Sequence, residues 1–136
     1  MAGEVKRVAV AWEGGLKFRG GEAGRPAILI DADNVESPGP MAALLVAVAA
    51  CSGADVVGIL EKMRVGLREL RVELQGTRRE DDPKRYTGIH MAWDLSGDTL
   101  DEPKVRRAID LSIEKYCSVI HSLRPDIAIT YEVRLA

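Results

Sequence analysis

The chain reads as an α+β protein with the element order βββ–α–ββ–α–β. Three observations predict it. Six short segments have the composition of strands, four of them with strict two-residue alternation of apolar and polar side chains. One long segment, Met41 to Arg64, opens with an unbroken apolar run of 11 residues through Cys51. A later one, Pro103 to Cys117, carries an apolar stripe at helical spacing. At 136 residues the length predicts a single domain over 1–136. Its core must be aliphatic, since 46% of residues are hydrophobic but only 4% aromatic.

In order, Val8, Val10 and Trp12 alternate with Ala9, Ala11 and Glu13, the period of a half-buried strand. "EGG" (Glu13 to Gly15) is turn chemistry, and "LKFRG" pairs back as a hairpin. "GGEAGRP" breaks the chain before a third strand, "AILID" (Ala27 to Asp31). "DNVESPGP" (Asp33 to Pro40) is a loop whose final proline suits the first turn of a helix.

In that helix Met41, Leu44, Leu45, Val48 and Cys51 form one stripe, and the opposite face is Ala and Val as well. A helix apolar all round is expected to be buried all round. Glu61, Lys62 and Arg64 mark its solvent-facing end. Gly53 and Gly58 each weaken it by about 1 kcal/mol relative to alanine, which gives room for a kink near Cys51.

Three more strands follow: Leu70, Val72 and Leu74; Ile89, Met91, Trp93 and Leu95; and Ile127, Ile129, Tyr131, Val133 and Leu135, each set against polar or small neighbours. The alternation predicts one face on a core and one in water, as in an antiparallel sheet. Thr77 to Arg85 is a polar loop between the first two. The second helix carries Val105, Ile109, Ile113 and Tyr116 inward, and "SVIHSL" extends toward the stop at Pro125.

The formal net charge is −2, from 19 basic and 21 acidic residues, which offers no field for phosphate backbones or anionic lipid. Nucleic-acid and membrane partners are not expected, and the 11-residue apolar run is short for a bilayer span. "MAGEVKRVAV" has no signal pattern, so a cytoplasmic protein is expected, with its two cysteines as thiols or a transient redox pair. No phosphate-binding glycine loop, HExxH or Ser-His-Asp signature is present.

Cys51 and Cys117 lie 66 positions apart. They are either small buried core residues or a working pair, and spacing alone leaves both open. No zinc pattern is formed, because there is no CxxC and His90 and His121 are far apart. His90 falls on the polar face of its strand, while His121, one turn beyond Cys117, can face it. Asp55 shares the Cys51 face at i+4. It is either bonded to backbone or an arginine, or part of a polar pocket around the thiol, where its charge would oppose thiolate formation.

"GPMAALLVAVAACSGADVVGIL", then "RRAIDLSIEKYCSVIHSL" and a closing alternating strand, with the "W-x-x-G-L-x-F" opening and the "D-x-P-K-R-Y" segment, resemble the OsmC/Ohr family, osmotically induced and organic-hydroperoxide-resistance proteins. The pattern is similar to that of the OsmC-like subgroup, C-x-x-x-D-V-V-x-I-L and E-K-Y-C-S-V. The resemblance implies a thiol peroxidase without a cofactor, built as an intertwined homodimer in which antiparallel sheets wrap long central helices. By motif Cys51 matches the peroxidatic cysteine and Cys117 the resolving one. A pocket of Met41, Leu44 and Val48 would then admit organic hydroperoxides, and a cellular dithiol would restore the thiols.

The subgroup carries Glu in the first turn of the central helix where this chain has Ala42. In Ohr-type enzymes that acid and an N-terminal-region arginine organise the thiolate, and Arg19 and Arg25 are the candidates by region. Asp55 and His121 complete the possible supporting residues. Ala42 favours an alternative, a non-catalytic member binding a small apolar ligand or partner, and a third reading is a redox sensor.

Overall fold

A computed structural model describes residues 3–136. The chain divides into two compact units, Met1–Leu44 and Leu45–Ala136, with the boundary inside the first helix. The first unit holds a three-stranded antiparallel sheet in the order β1-β2-β3: β1 (Ala9–Trp12), β2 (Lys17–Gly21) and β3 (Ile28–Asp31). Gly14 and Gly15 make the β1–β2 turn with φ of 96° and 56°, a left-handed path that side chains resist. Trp12 Nε1 closes the turn by donating to the Gly15 carbonyl at 2.9 Å.

Wholly buried Asp31 organises the loop that leads into the helix. Its carboxylate accepts the backbone N–H groups of Glu36 (3.0 Å), Asp33 (3.0 Å) and Val35 (3.2 Å). The Glu36 amide foremost, with those of Asp33 and Val35, holds the carboxyl below its ordinary range. Asn34, at φ 59°, accepts from the Gly39 amide at 3.0 Å and brings the chain round to Pro40.

Helix α1 (Pro40–Lys62) then runs as one element through Gly53 and Gly58. In the second unit, β4 (Leu67–Arg78) and β5 (Tyr86–Gly97) form a long antiparallel hairpin, and β6 (Ala128–Leu135) lies on the other side of β5. The expected all-antiparallel sheet is corrected here, because β6 runs parallel to β5. Side-chain alternation has the same period in both pairings, and a helical crossover between two strands permits the parallel one.

The core forms on one face of this sheet. Ile89, Met91, Trp93 and Leu95 of β5 are buried with Val48, Val56 and Leu60 of α1 and with Val105, Ala108 and Ile109 of helix α2 (Glu102–Leu111). On the opposite face His90 is half-buried, its ring nitrogens 2.7 Å from Thr130 Oγ1 and 3.1 Å from Glu132 Oε1.

The expectation that α1 is buried all round fails for the single chain. Val48, Ser52, Gly53, Val56 and Leu60 are buried, but Val46, Ala50, Ala54 and Val57 form an exposed stripe, with Val46 60% exposed. By length and composition α1 could cross a membrane, although its buried face belongs to the core cluster. The first sheet also departs from expectation. Val8, Val10 and Trp12 alternate correctly yet stand exposed, Trp12 at 66%.

Candidate functional site

After α2 the backbone widens into a single π turn, Ser112–Tyr116, before the short helix α3 (Ser118–His121). The Cys117 N–H bonds back to the Ser112 carbonyl at 2.8 Å, a five-residue step instead of the four of an α-helix. The expected inward stripe ending at Tyr116 is therefore corrected. Tyr116 is 48% exposed, while Ser112 and Cys117 are buried. Cys117 then serves as the N-cap of α3, its Sγ accepting the Ile120 N–H at 3.4 Å.

The turn aims Cys117 at α1. The sulfurs of Cys51 and Cys117 and a carboxylate oxygen of Asp55 all lie within 4.8 Å of one another. Cys51 and Asp55 are half-buried and Cys117 has no exposed surface. Both cysteines are free thiols. Burial pushes the Cys117 thiol up to about 11, with the neighbouring Cys51 adding to the rise and the Ile120 amide opposing it.

Two buried serines support the carboxylate. Ser112 Oγ donates to Asp55 Oδ2 at 2.9 Å, and Ser52 and Ser112 hydroxyls are 2.8 Å apart. Since Ser112 has a single proton and gives it to Asp55, Ser52 donates to Ser112. The chain Ser52→Ser112→Asp55 satisfies groups whose burial would otherwise cost about 1–3 kcal/mol each. Asp55 thus lies with the thiols and takes its bond from a serine. Neither serine was singled out from sequence; Ser52 at i+3 before Asp55 on α1 is the available signal, whereas Ser112 is reached only through the fold.

Asp55 also opens onto a cleft of about 480 Å³, lined by Ile59, Met63, Leu111 and Tyr116 with Lys62. Of the expected pocket residues, Val48 is wholly buried in the core, while Met41 and Leu44 are half-buried in the first unit. Arg19 pairs with Glu13 at 2.9 Å and Arg25 with Glu22 at 3.5 Å, all within the first unit. His121 is exposed, with Nε2 3.0 Å from the Ile113 carbonyl oxygen. Two thiols and a carboxylate thus meet at one point. Their positions, 51, 55 and 117, hide it from any sequence-spacing rule.

The OsmC-like protein family matches residues 32–132. Protein YhfA of Escherichia coli is 41% identical over 127 residues, covering 91% of this chain and 95% of that protein. A solved structure of a hypothetical protein from Aquifex aeolicus is 32% identical with a TM-score of 0.85, covering 98% of each chain. The organic hydroperoxide resistance protein OhrB of Bacillus subtilis is similar in fold alone, at 16% identity and a TM-score of 0.65 over 96% of this chain and 98% of that one. The chain belongs to the OsmC-like family.

Proposed function

We propose that the protein is a cytoplasmic, homodimeric thiol peroxidase that reduces organic hydroperoxides. The observation that carries this reading is the meeting of Cys51 and Cys117 sulfurs within 4.8 Å, from positions remote in the chain. In the proposed cycle the Cys51 thiolate attacks the peroxide, the O–O bond breaks, Cys51 becomes a sulfenic acid, and the alkoxide leaves as the alcohol by taking up the proton that Cys51 had released on ionising. The Cys117 sulfur displaces the hydroxyl as water to give a disulfide, and a dithiol reductant returns both thiols by exchange. Half-exposed Cys51 suits the attacking role and buried Cys117 the resolving one. The exposed apolar stripe of α1 and the exposed face of β1 support a dimer, since OsmC and Ohr proteins are generally dimeric.

The test is turnover of cumene hydroperoxide with dithiothreitol, wild type against Cys51→Ser. Consumption that depends on Cys51 is expected, and equal rates for the two proteins would remove the enzymatic reading. A specific observation favours a second reading, a non-catalytic ligand-binding member. Asp55 brings negative charge to the thiols, and its cleft is walled by Ile59, Met63 and Leu111. A protein that binds an apolar ligand in that cleft but fails to turn over peroxide would support it.

A further inference from the structure

We propose that Asp55 carries the proton in the second half of the cycle. It takes the proton from the Cys117 thiol as that sulfur attacks the Cys51 sulfenic acid, and delivers it to the hydroxyl that leaves. The S–H and S–O bonds break, the S–S bond forms, one water departs, and Asp55 ends as the carboxylate it began as. This rests on the peroxidase reading and deepens it at the same site.

The geometry supplies each part. One carboxylate lies within 4.8 Å of the sulfur that must lose a proton and of the sulfur whose oxygen must gain one. A side-chain rotation or one bridging water closes that gap. Ser112 donates to Oδ2 at 2.9 Å and so anchors the carboxylate, while Ser52 fixes the direction of the Ser112 hydroxyl. Both serines are wholly buried, so they hold the carboxylate from the core side.

The chemistry creates the need. Burial holds the Cys117 thiol in its protonated form. A base beside that sulfur therefore assists its attack. The other titratable side chains of the core around Cys117 are Cys51 and Tyr131, and the Tyr131 hydroxyl is donated to Asp110 at 2.7 Å. His121, on the same short helix, is engaged at the Ile113 carbonyl, and Lys62 lines the cleft beside Asp55. Asp55 alone joins both sulfurs among the described residues.

The experiment uses the full, pre-reduced protein, cumene hydroperoxide and rapid quenching, with sulfenic acid trapped by dimedone and disulfide read by mass spectrometry. Removing a negative charge favours thiolate, so Asp55→Asn should oxidise Cys51 as fast as wild type or faster. Its disulfide step should slow by about 10²-fold at pH 7, the usual scale for a lost general base, so that sulfenic acid accumulates. The deficit should close as pH rises toward 11, where Cys117 ionises unaided. Asp55→Glu should recover part of the rate.

Asp55→Asn that forms disulfide at the wild-type rate, with no accumulated sulfenic acid, overturns the proposal and leaves the peroxidase reading standing. Wild type that gives neither sulfenic acid nor disulfide ends both. If Asp55→Asn does not fold, Ser112→Ala decides: sulfenic acid that accumulates several-fold supports the relay, and wild-type kinetics overturn it.

Discussion

Strands β1 and β5, one from each three-stranded sheet, are written in the same alternating code and have opposite fates. In β5 the apolar series Ile89, Met91, Trp93 and Leu95 is all but sealed from solvent, with Trp93 at 0%. In β1 the equivalent series leaves Val10 at 62% and Trp12 at 66% exposed. Alternation therefore encodes a face that must be covered without saying by which molecule. Within the chain, α1 and α2 cover the second sheet. The first sheet and the Val46 stripe are the surfaces that the proposed second copy would cover.

That contrast can be broken most forcefully in the core. Trp93→Ala should cost about 3–5 kcal/mol in denaturant melts at every protein concentration, because it empties a site enclosed by the chain itself. Trp12→Ala should cost about 1–2 kcal/mol, and only through association: sedimentation equilibrium should show a weaker dimer, with a concentration-dependent unfolding midpoint. A monomeric wild type, or a Trp12→Ala dimer as tight as the wild type's, ends the contrast.

A smaller effect sharpens it at the site. The folded Cys117 thiol, at about 11, keeps its proton where the unfolded chain's thiol has lost it. The native state then holds more protons than the unfolded state between about pH 9 and 11, so stability should fall as pH rises through that window. Cys117→Ala should lose this slope in chemical melts repeated across the window.

The smallest effect belongs to the first unit. Asp31 is depressed by its backbone donors, so its contribution is present above the ordinary carboxylate range. It should be lost as pH falls through the lowered native value. Asp31→Asn should flatten the acid limb of the stability profile. An unchanged acid limb would show that the loop does not depend on that charge.

Much of this architecture was legible in the residues. Alternation located four of the six strands, turn chemistry bounded β2 and β3, and the apolar run from Met41 located α1. The i+4 spacing of Cys51 and Asp55 already set them on one face, and the structure brings them together. The direction of β6 was less accessible, since alternation is blind to it, although the crossover length was available as a hint. Exposure of β1 was illegible because a single chain's sequence does not separate internal from intermolecular cover. The π turn was hidden for another reason: Val105, Ile109, Ile113 and Tyr116 satisfy a regular helical period that the backbone then abandons.

That widened turn works as a phase shifter. Each residue of a regular helix advances the side-chain direction by about 100°, so one additional residue in the loop of hydrogen bonds resets the angular position of whatever follows. The downstream sulfur takes its bearing toward α1 from that offset. Shortening the segment by one residue would leave the composition nearly unchanged and point the sulfur elsewhere, uncoupling two motifs that would both still be present in the sequence.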